Sequence, residues 1–483
     1  MIERIALAPG LEIPRLVTGL WQVADMERDG RTLDPEQGAD ALAAYAQTGL
    51  DAFDMADHYG SAELIAGQLL RRPAGATAKV LTKWCPEPGA MGGQTVREGV
   101  QRALDRLQVQ RIDLMQLHWW RYEHPGYLDA LAGLARLREE GLIGAIGLTN
   151  FDAAHLQMLC AHGLPVATNQ VCMSLLDRRA RGRMAEVCAH HGVQLLAYGT
   201  LGGGFFSERW LGAPEPATVD DWSKMKYRRF IDAVGGWAAL QGVLRAAQQV
   251  AQRHGVSMAN VATRWVLDQP AVAAVIVGAR LGESEHRTDN LRVFDFRLDA
   301  ADHAVLEEAF AATTPLPGDC GDEYRRAPFL TASGDLSHHL SALPPVFARE
   351  PVPGHADRWR VGSGSVWEPI AGYARAVRAG SHIEVAGTTA THGQGTVVAP
   401  DDAGAQTTYI LDKIAAALES LGGRIEDVVR TRVYLAHADD WQAVSREHGR
   451  VFGATRPANT MLEVSRLLGE GYRVEIEAEA IVD

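Results

Sequence analysis

Between Ile13 and Val277 the chain alternates short apolar runs with stretches whose apolar positions recur at helical spacing. The runs cover residues 13–20, 49–53, 78–82, 112–117, 143–148, 166–169, 193–197 and 272–277, and polar residues close most of them. Runs of this length, separated by amphipathic helix patterns, read as strands. Eight of them with helices between predict a (β/α)8 TIM barrel, an α/β fold. In such a barrel the loops at the carboxyl ends of the strands build the active site. Asp54, Lys83, His118, Asn150, Gln170, Tyr198 and Arg280 are therefore expected around one rim.

The pattern breaks near Thr313, where Thr-Thr-Pro-Leu-Pro-Gly is followed by further proline and glycine clusters, as in Leu-Pro-Pro-Val and Pro-Val-Pro-Gly. These residues interrupt helices and strands. The division expected is a barrel over 1–312, a linker over 313–344 that packs on either neighbour, and a small α+β domain over 345–483. In the last, a helix from about Ala405 places Ile410, Ile414, Leu418 and Leu421 on one face and ends at Gly422-Gly423. A strand over 428–436 and a helix from Asp440 follow. In a final strand Val474, Ile476, Ala478 and Ala480 alternate with Arg473, Glu475, Glu477 and Glu479, giving one apolar and one acidic face.

Asp54-Met-Ala-Asp-His-Tyr59-Gly, Lys83 and His118 place an acid, a phenol, an ammonium and an imidazole at the ends of successive runs, a set suited to proton transfer to a substrate oxygen. Each has an ordinary structural use when taken alone. Their joint occurrence in order is what carries the reading.

At these residues the first 310 or so positions resemble the aldo-keto reductase superfamily. The resemblance maps the catalytic tetrad onto Asp54, Tyr59, Lys83 and His118. It maps cofactor-binding positions onto Thr149 and Asn150, Gln170, Tyr198 with the following Gly199 and Leu201, and a late segment holding Gly278, Arg280 and Asn290. It implies hydride transfer from NADP(H), with NAD(H) as the alternative, to an aldehyde or ketone and by extension an imine. Tyr59 would donate the proton. A tyrosine with pKa near ~10 donates reluctantly, and the Lys83 cation would lower that value. Asp54 would hold the lysine charged, and His118 would aim a hydrogen bond at the carbonyl oxygen. Tyr198 is read as the platform for the nicotinamide ring, with Asn150 and Gln170 on its carboxamide. Trp21, Trp84 and Trp119 are candidates for an apolar substrate pocket.

The segment from Gly199 to about Gly236 reads as a long irregular loop whose Lys224, Lys226, Arg228 and Arg229 would close over phosphates. No Gly-x-Gly-x-x-Gly opens a helix, so a Rossmann nucleotide site is not expected.

The second domain resembles the RidA/YjgF family over about 110 residues, through Tyr373-Ala-Arg-Ala-Val-Arg-Ala-Gly, Asp427-Val-Val-Arg-Thr-Arg-Val-Tyr-Leu, Arg456-Pro-Ala and Val474-Glu-Ile-Glu-Ala. The resemblance implies a homotrimer with clefts between subunits, and for its active members hydrolysis of enamines and imines. Tyr373 and Glu475 match the cleft. The deaminases carry an arginine directly after Pro-Ala to grip a carboxylate, and this chain has Asn459 there. The domain is therefore expected to serve oligomerisation or ligand binding. Two alternatives remain open: a reductase joined to a deaminase, and a cofactor-holding sensor or scaffold without appreciable turnover.

A net charge of −13 argues against nucleic acid and anionic membrane surfaces as partners. Five cysteines, scattered without metal-ligand spacing, give no metal site and suit a reducing cytoplasm. The partner expected is a small-molecule carbonyl or imine.

Overall fold

The computed structural model describes residues 1–24, 32–87, 89–219, 221–326 and 344–482; the rest of the expected linker, 327–343, lies outside the described residues. A hairpin of β1 (Arg4–Ala8) and β2 (Leu11–Pro14) precedes the barrel. Strands β3 (Leu16–Gly19), β4 (Ala52–Asp54), β5 (Lys79–Trp84), β6 (Ile112–His118), β7 (Ile143–Thr149), β8 (Val166–Cys172), β9 (Gln194–Tyr198) and β10 (Val272–Gly278) then close on themselves. All eight pair in parallel, β10 beside both β9 and β3. The first apolar run thus divides: Pro14, which lacks an amide hydrogen, ends the hairpin, and the barrel strand begins at Leu16.

Around the barrel run α1 (Pro35–Gln47), α2 (Ala62–Leu70), α3 (Gly93–Leu107), α4 (Gly126–Glu139), α5 (Ala153–Ala161) and α6 (Arg183–His191). Then come α7 (Trp222–Ala233), α8 (Gly236–His254), α9 (Met258–Leu267), α10 (Arg287–Leu291) and α11 (Ala300–Ala311). Inside, Val17, Ala52, Leu81, Leu114, Leu196 and Ala274 form a packed layer, so the barrel is a core rather than a channel. The stretch expected to be irregular up to Gly236 contains α7. Asp221 caps it by accepting from the Lys224 amide, and Tyr227, Phe230 and Ile231 are its buried face.

The second domain is a seven-stranded sheet in the order β11 (Arg349–Pro351), β12 (Arg358–Val361), β13 (Ala376–Ala379), β14 (His382–Thr389), β19 (Val474–Ile481), β17 (Val428–Leu435), β18 (Ala458–Glu463). A small ribbon of β15 (Thr391–His392) and β16 (Thr396–Val397) stands beside it, and α12 (Trp367–Ala371), α13 (Ala403–Ser420) and α14 (Trp441–Phe452) complete the domain. The helix expected to bury one face, α13, is buried nearly all round: Thr407, Thr408, Leu411, Lys413 and Ala415 are covered as well as Ile410, Ile414 and Leu418. One side lies on the sheet and the other against α5 of the barrel.

Polar contacts tie the two domains. His155 on α5 is hydrogen-bonded through Nδ1 to Asp152 at 2.7 Å and through Nε2 to Asp412 on α13 at 2.8 Å. Arg121 pairs with Glu419, and Arg183 with Glu447. His392 Nε2 lies 3.1 Å from Asp129, and Gln157 donates to Asp402 at 3.0 Å. Burial works against a charged His155, but the two carboxylates override it and raise its pKa.

Candidate active site

The carboxyl ends of the strands bring the tetrad together at one rim of the barrel. Lys83, closing β5, donates to Asp54 Oδ2 at 2.6 Å and to the Met55 carbonyl at 3.0 Å, and both side chains are buried. The same ammonium lies 4.9 Å from the centre of the Tyr59 ring. Tyr59 sits in the turn after β4, which is stapled to β5 by the Asp57 amide donating to the Lys83 carbonyl at 3.0 Å. Trp21 stands edge-on to the Tyr59 ring at 4.9 Å. The other carboxylate oxygen of Asp54 accepts from Gln170 at 2.7 Å and Gln116 at 3.2 Å, which fixes the acid that fixes the lysine.

His118 ends β6, and its pKa is held well below the ordinary value, first by complete burial and then by the charges of Arg325, His58, Lys83 and Lys226. It is therefore a neutral imidazole, with one N–H to offer a substrate oxygen. Asn150, at φ 59°, is in the left-handed region that asparagine tolerates better than most residues. Its Nδ2 lies 3.4 Å from His118 Nε2, and its Oδ1 accepts from the Tyr198 hydroxyl at 2.9 Å. The amide of Asn150 is thus engaged at both ends. Gln170 spends its nitrogen on Asp54 and on Gln116 at 2.9 Å, and its Oε1 has no hydrogen bond among the described residues.

The segment after the barrel closes this rim. Gly321, at φ 84°, lies so close to the Asn150 carbonyl that a side chain would collide with it. The turn it opens delivers Glu323 and Tyr324 into the barrel mouth. The Tyr198 hydroxyl lies 3.2 Å from both Glu323 Oε1 and the Tyr324 hydroxyl, and Lys226 donates to Tyr324 at 2.7 Å and to Tyr198 at 3.1 Å. Glu323 also accepts from Arg179 at 2.9 Å. The Tyr324 ring stands edge-on to His118 at 5.6 Å. Burial first, then Tyr324 and Glu323, push the Tyr198 phenol well above its usual pKa and keep it neutral. Sequence reasoning missed Glu323 and Tyr324.

These residues open onto one cavity of about 660 Å³, which runs from Trp21, Asp54, Tyr59, Lys83 and His118 past Tyr198, Gly199 and Leu201 to Gly278, Arg280 and Asn290. Its wall includes Gln22 Oε1, Thr149 Oγ1 and Thr200 Oγ1, buried polar atoms without a partner among the described residues. A mainly apolar cleft of this size with a few unmet hydrogen-bonding groups fits a dinucleotide. At its far end Arg280 pairs with Asp221, which also accepts from Lys224 Nζ at 2.9 Å.

Several expected roles do not match the placements. Of the three tryptophans, only Trp21 lines the cavity. Trp84 packs on α3 and Trp119 is buried, its indole N–H held by the Arg121 carbonyl at 2.7 Å; their large apolar surfaces serve the core. Lys226 is locked between two phenols rather than poised over phosphates, and Arg228 is spent on Glu215 and Asp232.

In the second domain the cleft residues lie apart. Tyr373 accepts from Arg375 at 3.0 Å just ahead of β13, and Asn459 donates to Thr431 at 2.9 Å on the edge strand β18. Strands β14, β19 and β17 separate them, roughly 19 Å at ~4.8 Å per strand spacing. Glu475 on β19 lies between, its pKa raised by burial against the pull of Arg375. One chain alone does not assemble this cleft. The acidic face of β19 is partly met by Arg432, paired with Glu477 at 2.9 Å and Glu479 at 2.8 Å.

A TIM barrel carrying this tetrad is the architecture of an oxidoreductase, and comparison with known proteins assigns it. Residues 15–311 match the Aldo/keto reductase family, and the chain belongs to that family, whose members use NAD(P)H. Residues 364–482 match the family described as Endoribonuclease L-PSP, to which YjgF-like proteins belong, so the chain is a fusion of the two. The chloroplastic pyridoxal reductase of Arabidopsis thaliana is 24% identical over 326 residues, covering 64% of this chain and 86% of that protein. An uncharacterized protein of Streptomyces coelicolor is 42% identical over 121 residues, 25% of this chain and 90% of its own length. Two other relatives are covered over only 33% and 60% of their lengths. A glycerol dehydrogenase structure from Gluconobacter oxydans shares the barrel fold at TM-score 0.53 and 24% identity, covering 66% of this chain and 97% of that one. No helix among the described residues is long and apolar enough to cross a membrane.

Proposed function

We propose that the barrel reduces an aldehyde or ketone, and by extension an imine, with NADPH as the preferred cofactor. The observation that carries this is the buried Lys83, held by Asp54 at 2.6 Å with its charge 4.9 Å from the Tyr59 ring on the wall of the cavity. When bound, the nicotinamide supplies the hydride. Tyr59 gives its hydroxyl proton to the carbonyl oxygen as that oxygen gains charge, and Lys83 stabilises the phenolate left behind. Neutral His118 orients the oxygen by hydrogen bonding. Thr149 and Gln170 Oε1 would hold the carboxamide, Tyr198 the ring, Gly199, Leu201 and Gly278 the pyrophosphate stretch, and Arg280 with Asn290 the adenosine phosphate. The preference for the phosphorylated cofactor rests on Arg280.

The second domain, in this reading, assembles the protein as a homotrimer. Its helix α13 is covered by α5 of the barrel, whereas Tyr373, Asn459 and Glu475 come together only if another copy completes the cleft. No disulfide joins the five cysteines among the described residues, which suits a cytoplasmic setting.

The test is consumption of NADPH and NADH against aldehydes, ketones and preformed cyclic imines by wild type and Tyr59→Phe. A loss of kcat of about 10²–10⁴ in the variant supports the reading, as expected for removal of a general acid. Cofactor binding without turnover in wild type turns it toward a sensor or scaffold.

A further inference from the structure

The residue before the proton donor is itself placed for chemistry. His58 lines the cavity, and its ring stands edge-on to Tyr59 with centres 4.9 Å apart. It is held from behind: Nδ1 lies 2.9 Å from Asp57 Oδ1, while Asp57 Oδ2 accepts from the Cys85 amide at 3.0 Å at the end of β5. A carboxylate only accepts, so Nδ1 carries the hydrogen. In the neutral ring Nε2 is then an acceptor, with its tautomer set by the neighbour, as in other carboxylate–histidine pairs. Among the described residues nothing else hydrogen-bonds His58. His118 lines the same cavity, so both imidazoles face the space that a substrate would occupy.

We propose that Asp57 and His58 form a second polar grip in the substrate site, with His58 Nε2 accepting a hydrogen bond from a hydroxyl on the carbon next to the reacting carbonyl. The favoured substrates are then α-hydroxy carbonyl compounds. This rests on the carbonyl-reductase reading of the same cavity. Tyr59 addresses the carbonyl oxygen, and the adjoining imidazole reaches the neighbouring atom. A site that hydrogen-bonds a substrate hydroxyl rejects the analogue lacking it far more strongly than an apolar pocket rejects a size change, because the binding group is left unpaired.

The pair also makes an unusual prediction about tautomers. In Asp57→Asn the amide oxygen still takes the Cys85 N–H, so the amide nitrogen turns to His58 and donates to Nδ1. The ring proton moves to Nε2, and the acceptor becomes a donor. The experiment compares kcat/KM for glycolaldehyde, propionaldehyde and methoxyacetaldehyde, which present a donor, nothing and an acceptor beside the same aldehyde. Wild type is expected to favour glycolaldehyde over propionaldehyde by at least ~10-fold. In His58→Leu that ratio falls to about one. In Asp57→Asn the order inverts, with methoxyacetaldehyde ahead of glycolaldehyde, a change that mere loosening of the turn would not produce. Turnover of propionaldehyde with no hydroxyl preference in wild type, or a preference unchanged in His58→Leu, overturns the grip and leaves the reductase reading standing. No turnover of any of the three by an enzyme that reduces other carbonyls overturns the grip, and no turnover across the whole carbonyl panel overturns both.

Discussion

At the scale of single residues the site is a chain of dependence. Gln116 and Gln170 hold Asp54, Asp54 holds Lys83, and Lys83 faces Tyr59. Asp54→Asn is therefore expected to lower kcat, because the lysine loses its counter-charge, while KM for the carbonyl changes little. Steady-state kinetics across pH would show it. Arg280→Ala should raise KM for NADPH about tenfold and leave KM for NADH nearly unchanged, as the loss of one charge-assisted contact to a phosphate implies. An equal effect on both cofactors would remove the basis for a preference.

At the scale of elements the domain contact is the feature with the clearest physical consequence. His155 has its pKa raised by Asp152 and Asp412, and Glu419 beside Arg121 is raised to about 7, chiefly by burial and then by Glu123. For both groups the folded-state value lies above the unfolded one. Their contribution to stability is complete below the unfolded pKa values, ~4.5 for the acid and ~6.5 for the imidazole, and is lost as pH rises through the folded values. The contact between α5 and α13 should be firmest near pH 5 and weaken above pH 7, read by chemical denaturation at a series of pH values. His155→Gln should flatten this dependence and cost about 3–5 kcal/mol at low pH, because it strands the buried Asp152 and the half-buried Asp412.

The same element shows where sequence reading succeeds and stops. The barrel strands are legible because each is a short, largely buried apolar run between amphipathic helices. The tetrad is legible because the fold dictates that polar residues closing strands share a rim. The second buried side of α13 is not legible, since small and weakly polar residues such as Thr407, Thr408 and Ala415 suit either a wet or a covered face. Helix α7 was readable from Tyr227, Phe230 and Ile231 behind the Asp221 cap, but the charged residues among them invite a loop reading. Glu323 and Tyr324 leave no local signature. Their partner Tyr198 lies 125 positions or more away, and only the folded chain brings them together.

At the scale of the whole molecule, the barrel covers α13 of the second domain and leaves residues such as Ile370 on α12 and Leu468 exposed at 75% and 85%. A homotrimer is expected, with a mass three times that of the 52.3 kDa chain by light scattering at micromolar concentration. Truncation after residue 344 should abolish it, and a monomeric full-length protein would remove the trimer from the proposal.

The placement of Tyr324 bears on how such a fusion can be inherited. The family match for the barrel ends at residue 311, yet a wall of its cavity is supplied by the stretch that leads onward to the second domain. A gene cut at that boundary would encode a barrel whose mouth lacks one side. Recombination that exchanges the second domain can therefore preserve the first only if its breakpoint falls beyond Arg325. The heritable unit of the reductase is longer than its family signature, because Tyr324 and Arg325 bind barrel residues.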